Sequence, residues 1–127
     1  MRRLPEAELA VMQVLWEGEE ALSRAEIEEQ LQSRQWAATT LNTYLTRLLE
    51  KDFLLREKQG KSHYYRPKVE KSAYLAVESQ AVLTNAFGSS LTNFIAALAG
   101  GGSLDEQQLQ TAQEYLQELT RKEQAHD

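Results

Sequence analysis

Hydroxyls rather than catalytic groups dominate the polar side of the stretch TTLNTYLTRL, Thr39 to Leu48. At helical spacing Thr39, Asn42, Thr43, Thr46 and Arg47 share one side, while Leu41, Leu45 and Leu48, flanked by Tyr44 and Leu49, share the other. Threonine is a mediocre helix former, because its β-branch restricts χ1 and its hydroxyl competes for backbone hydrogen bonds. A helix that had only to be stable and soluble would expose Glu, Lys, Gln and Ala. What these short side chains offer is close approach to a polar surface. A threonine presents a hydroxyl to a base or phosphate and a methyl to a thymine methyl, and Arg47 reaches a phosphate or a guanine edge. One hydroxyl has a structural use as well, with Thr39 expected to be the N-cap of the helix.

Other chemistry is thin. His63 and His126 are the two histidines, and there is no cysteine, which excludes disulfides, thiolate metal sites and thiol catalysis. No HExxH, phosphate-binding Gly loop, GxSxG or paired-carboxylate pattern occurs. The glycines of AGGGS (Ala99 to Ser103) follow a helical stretch without a lysine and read as a hinge. His63 reads as a surface or packing residue. The expectation is a non-enzyme with no catalytic residue, no metal and no cofactor.

The net charge of −5 over 127 residues is unevenly spread. Residues 1–33 carry three basic and eight acidic side chains, residues 34–71 nine basic and four acidic, and residues 72–127 two basic and seven acidic. A basic block between acidic ones is the footprint of a local anion-binding element, and local field matters more than total charge. The longest apolar run falls far short of the ~20 residues of a membrane span, and MRRLPEAE has no apolar segment behind its arginines. A cytoplasmic protein without direct membrane insertion is expected.

The elements that must position these residues are legible. LPEAELAVMQVLWEGEE reads as a helix with Pro5 as its first residue, a buried face of Leu9, Met12, Leu15 and Trp16, and an end at Gly18. SRAEIEEQL opens with Ser23 and Glu26 in a capping-box pattern. The threonine-rich helix follows, and then two β-rich runs, FLLREK and KSHYYRPKV, around a turn at Gln59-Gly60. Lys58 and Lys61 flank the tip, and Pro67 suits the end of an edge strand. Three short helices and a basic two-stranded hairpin are the order of a winged helix-turn-helix, although an ordinary α+β domain shares it. The fold class is therefore mainly α with a small antiparallel β-wing. Lys58, Lys61 and Arg66, with Arg2 and Arg3, are placed to neutralise phosphates beside the third helix.

From Glu70 onward the sequence is helical, with Ser103 and Glu106 in a second capping-box pattern. Tyr74, Val77, Phe87, Leu91, Phe94, Ile95, Leu98 and Leu116 supply apolar surface that so short a segment rarely buries alone. A second copy of the chain would complete it, giving a winged-helix domain over 1–69 and a helical dimerisation domain over 70–127. Packing back on the N-terminal domain as a monomer is the alternative.

LPEAELAVMQVLWE, TTLNTYLTRLLEKDFL, GKSHYYRPKV and LTNFIAAL together resemble the BlaI/MecI/CopY family of bacterial repressors, over about Leu4 to Leu119. The resemblance implies a dimer that binds a palindromic double-stranded DNA operator and represses genes of β-lactam resistance or copper handling. By position, it implies that Thr40, Thr43 and Arg47 read DNA, with Thr39 and Asn42 at neighbouring contact positions and Lys58 and Lys61 in the wing. It also implies a partner, a membrane sensor that triggers proteolysis at an Asn-Phe bond, here Asn93-Phe94. That dipeptide is equally part of an amphipathic helix. The copper branch binds metal through C-terminal cysteines, which this chain lacks. Asn42 stands where β-lactam regulators tend to carry a basic residue, and Glu50 and Asp52 where a basic residue and a glycine are common. Glu50 is expected to pair with Arg47. A winged-helix protein-interaction module and a ligand-sensing regulator remain open as alternative functions.

Overall fold

The computed structural model describes residues 1–126, with side chains through residue 125, so the His126 side chain lies outside the described residues. In chain order come α1 (Glu6–Glu17), β1 (Leu22–Ser23), α2 (Arg24–Gln30), a 3₁₀ turn (Gln32–Arg34), α3 (Ala38–Glu50), β2 (Leu54–Gln59) and β3 (Ser62–Pro67). Then follow α4 (Lys71–Phe87), α5 (Leu91–Gly100) and α6 (Glu106–His126).

Helix α1 is the hub of the N-terminal unit. Pro5 caps it instead of opening it, and Ala10, Val11, Met12, Val14 and Leu15 are all buried. The apolar stripe is wider than one face because α1 packs on α2, α3 and β3 together. Ser23 and Glu26 form the expected capping box at the start of α2. Ser23 Oγ accepts from the Glu26 N–H at 3.2 Å, and Glu26 Oε1 accepts from the Ser23 N–H at 3.0 Å.

Helix α3 departs from expectation at its start. Ala37 occupies the N-cap without a side-chain hydrogen bond, so Thr39 is a helical residue and not the cap. Alanine's high helix propensity lets the first turn begin before the threonines. Leu41, Leu45 and Leu48 are buried as their spacing requires. At the other end the Asp52 N–H donates to Leu49 O at 3.1 Å and the Phe53 N–H to Leu48 O at 2.9 Å. That is a Schellman motif, with Asp52 left-handed at φ 64° where glycine is the usual residue. Phe53 then enters the core.

The sheet is three-stranded and antiparallel in the order β1-β3-β2, not the two-stranded wing expected. β1 pairs only Leu22 with Tyr65 and Ser23 with Tyr64, too short a strand to leave a periodic signal. Pro67 consequently ends the central strand, opposite Leu54 and beyond the reach of β1, where its missing N–H costs nothing. The hairpin loop is Gly60-Lys61, one residue later than expected. Gly60 at φ 63° takes the first position of the two-residue loop, the place a type II′ turn gives to glycine.

The chain divides into two compact units, Met1–Gln80 and Ala81–Asp127, with the separation inside α4. Tyr74, expected on the dimerisation surface, is fully buried in the first unit. Its ring lies 5.8 Å from that of Trp16 and 5.7 Å from that of Phe53, and its hydroxyl accepts the Leu4 N–H at 2.7 Å. Trp16 Nε1 donates to Val69 O at 2.9 Å, bringing the chain before α4 onto the same core. Lys51 Nζ reaches Glu8 Oε1 at 2.6 Å, and Glu8 is only 1% exposed, so a buried carboxylate joins α1 to the end of α3.

In the second unit α5 is capped by Ser90, whose Oγ accepts the Asn93 N–H at 3.1 Å. Asp105 and Gln108 make the reciprocal capping pair of α6, at 2.7 and 3.1 Å, in place of Ser103 and Glu106. The chemistry is that of the capping box, shifted two positions along the chain. Phe87 and Phe94 meet edge to face at 5.2 Å. No residue from 81 to 125 is buried, and Leu91, Ile95, Leu109, Leu116 and Leu119 are exposed. No single helix among the described residues is long and apolar enough to cross a membrane.

Asp52→Gly should stabilise the protein by about 1 kcal/mol in urea denaturation, since glycine takes the left-handed conformation without Cβ strain. The exposed Lys68–Asp52 pair that it removes contributes little. Tyr74→Phe should cost about 1–3 kcal/mol by leaving the Leu4 N–H unpaired. Burial, foremost, pushes the Tyr74 hydroxyl above its ordinary 10.0, with the Leu4 N–H opposing and Glu78 adding to the rise. A raised folded-state value gives stability that is complete below the unfolded value and lost as pH climbs through the folded one. The tyrosine-specific part of the alkaline decline should therefore disappear in Tyr74→Phe when urea midpoints are compared near neutrality and above pH 10.0.

Candidate nucleic-acid interface

The outer face of α3 is set by its three buried leucines. Thr39, Asn42, Thr43, Thr46 and Arg47 are exposed and Thr40 is half-buried. Asn42, Thr43, Thr46, Arg47 and Glu50 line one open groove along the helix. Thr43 Oγ1 donates to Thr39 O at 3.0 Å, which turns its proton inward and leaves its oxygen as an outward acceptor. Among the described residues the hydroxyls of Thr39, Thr40 and Thr46 have no hydrogen-bond partner, and Arg47 makes no ion pair. The pairing expected between Glu50 and Arg47 is not formed.

The approach to α3 is braced by aromatic contact. Trp36 meets Tyr44 edge-on at 4.9 Å, and the Arg34 guanidinium lies 5.6 Å from the centre of the Trp36 ring. Arg34 also grips Glu6 with both terminal nitrogens, at 2.9 and 2.6 Å. The Arg34 hydrogen bond holds the Glu6 carboxyl below the usual carboxylate range.

In the hairpin the strand register sorts the charges. Leu54 and Tyr65 point to the core, and their side of the ribbon continues toward the tip as Arg56, Lys58 and His63. Lys58 faces His63 across the strands, and Lys61 sits in the loop. Arg66 belongs to the opposite side and is ion-paired with Glu57, so the hairpin separates it from the lysines with which it was grouped. Arg3 is within 3.9 Å of Glu78.

Pairing divides the basic block into two kinds of cation. Arg34, Lys51, Arg66 and Lys68 are tied to Glu6, Glu8, Glu57 and Asp52. Among the described residues Arg47, Arg56, Lys58, Lys61 and Lys71 have no acidic partner. Of these, Arg47 lies on the third helix and Arg56, Lys58 and Lys61 on the hairpin beside it, while Lys71 opens α4. This arrangement suits a polyanion whose grooves admit a helix.

Two residues of the surface escaped the sequence reading. Arg56 was hidden because its side of the ribbon is decided by register. Arg24 was hidden because it falls in the acidic first third of the chain. It opens α2 and reaches across to α3, where Nη2 donates to Ala38 O at 2.8 Å and Nε to Asn42 Oδ1. The only sign in the sequence was a cation in the first turn of a helix, where the macrodipole disfavours one. Among the described residues no group of His, Asp and Glu gathers as metal ligands.

The penicillinase repressor family model matches residues 4–118. The penicillinase repressor of Bacillus licheniformis is 26% identical over 93% of this chain and 94% of its own length. The methicillin resistance regulatory protein MecI of Mammaliicoccus sciuri is 33% identical over 70% of this chain and 76% of its own length. Among solved structures, the DNA-binding domain of the repressor BlaI superposes with a TM-score of 0.51 at 32% identity, covering 56% of this chain and 87% of that domain. The monomeric form of Bacillus licheniformis BlaI in complex with the blaP half-operator superposes with a TM-score of 0.50 at 31% identity, covering 57% and 89%. The helix order, the three-stranded sheet and these neighbours make the N-terminal unit a winged helix-turn-helix with the β2–β3 hairpin as its wing, and the chain belongs to the penicillinase repressor family.

Proposed function

We propose that this chain is a homodimeric transcriptional repressor that sets α3 of each protomer into the major groove of a palindromic operator. The observation that carries this reading is the free cation set on α3 and the wing of a chain whose net charge is −5. Thr40, Thr43 and Arg47 meet base edges or nearby phosphates, with Thr39 and Asn42 beside them, and Arg56, Lys58 and Lys61 neutralise flanking phosphates. Half-sites lie about 10 base pairs apart, or a multiple of that. The chain performs no catalysis and needs no cofactor for this role, and it acts in the cytoplasm, where the operator is.

A second copy covers the second unit, which has exposed leucines on α5 and α6 and no buried residue among those described. Leu91, Ile95 and Leu116 are the most open of the residues assigned to that contact, at 49%, 38% and 42% exposed. Phe87, Phe94 and Leu98 are half-buried and complete the surface, whereas Val77, half-buried as well, lies in the first unit. Induction proceeds by cleavage of the Asn93–Phe94 bond, triggered by a membrane sensor-protease system. That bond lies in the first turn of α5, just after its Ser90 cap, where little backbone must unwind to reach an extended, cleavable form.

Gel shift of the full chain on its own promoter at about 50 mM salt tests the reading, and absence of binding there refutes it. Arg47→Ala should weaken operator binding by about 1–3 kcal/mol and relax preference at one base position. Lys58→Ala should weaken binding to all sequences alike and lower the slope of log K against log salt by about 1. Leu116→Glu should yield monomers in sedimentation velocity, by placing a charge in a contact that must be desolvated.

A further inference from the structure

Arg24 breaks a local rule. It is the first residue of α2, where the positive end of the helix dipole disfavours a cation and where an acid would add stability. Sequences that violate local preference tend to do so at functional positions. Three of its nitrogens are committed to three acceptors on two helices. Nη1 donates to Glu28 Oε2 at 2.5 Å, Nη2 to Ala38 O at 2.8 Å, and Nε to Asn42 Oδ1. Glu28, one turn along α2, balances the charge, so the guanidinium is held in place rather than left free for a phosphate.

The consequence falls on Asn42. A carboxamide has an accepting end and a donating end, and a guanidinium offers donors only. Facing Arg24, Asn42 must present its oxygen, which leaves Nδ2 as the end without a partner among the described residues. Asn42 lines the α3 groove with Thr43, Thr46 and Arg47. An unrestrained asparagine reads adenine by using both ends, accepting from N6 and donating to N7. Guanine offers acceptors at both N7 and O6 and asks only for donors.

We propose that Arg24 is a specificity-determining positioning residue: by holding the Asn42 oxygen it makes Asn42 a donor-only reader that selects guanine over adenine at its base step. This rests on the repressor reading above.

Selection from randomised duplex DNA with the full wild-type chain, followed by binding titrations on guanine and adenine versions of the step that Asn42→Ala renders indifferent, tests the proposal. Wild type should prefer guanine there. Arg24→Ala should shift the guanine-to-adenine ratio about tenfold toward adenine while leaving the other positions of the site unchanged. Asn42→Asp keeps an acceptor for Arg24 but removes the donor, and should move preference to bases with an amino group, cytosine or adenine. This second variant decides the matter if Arg24→Ala melts early. A wild-type preference for adenine at the step overturns the proposal. So does an Arg24→Ala effect that is equal on all sequences with a salt slope lower by about 1, the mark of a phosphate contact. If the wild-type chain enriches no sequence at all, the repressor reading falls, and this inference with it.

Discussion

The fully buried Tyr74 is the point on which the first unit converges. Its ring meets both Trp16, at the end of α1, and Phe53, which closes the Schellman motif of α3, and its hydroxyl holds the Leu4 N–H ahead of α1. A single side chain from α4 thereby fixes the start and end of the first helix and the far end of α3. Phe53 is also the residue from which β2 departs, so the origin of the wing is tied to the same cluster. Small domains gain rigidity by sharing aromatic contacts among several elements, because each contact orders more than one of them.

Charge is organised by a parallel economy. An acidic chain binds a polyanion only where its cations are not already matched. The pairs Arg34–Glu6, Lys51–Glu8, Arg66–Glu57 and Lys68–Asp52 match four of the nine basic residues between positions 34 and 71. Arg47, Lys58 and Lys61 keep their charge because no carboxylate comes within pairing distance among the described residues. Exposed pairs of this kind add little to stability. Their larger effect is to narrow the positive field to one edge of the unit and so to set an orientation for an approaching duplex.

Much of this was legible in the chain. The leucine spacing of α3, the Ser23–Glu26 box and the glycine of the hairpin each follow from a local rule, and each places an element that carries the interface. What could not be read were matters decided between elements. Periodicity marks Tyr74 as apolar and inward-facing but does not say into which of two cores it points. β1 is created by β3 and has no pattern of its own. The side of the ribbon taken by Arg66 depends on a register that only the completed hairpin defines. Thr39 looked like a cap because its type suits one, yet Ala37 takes the place when the backbone turns a residue earlier. Arg24 acts on Asn42 across eighteen positions of sequence, a distance no local rule spans.

The Glu8–Lys51 pair has a consequence for how this sequence diverges. With Glu8 at 1% exposure, loss of the lysine strands a buried carboxylate, and loss of the carboxylate takes from the ammonium the one acceptor it has among the described residues. Loss of the lysine carries a penalty of the kind found for half-broken buried ion pairs, whereas loss of Glu8 leaves a lysine whose side chain is 29% exposed and can be solvated. The two positions are therefore epistatic: each constrains the other although they lie on different helices. A comparison of related chains should find positions 8 and 51 drifting as one.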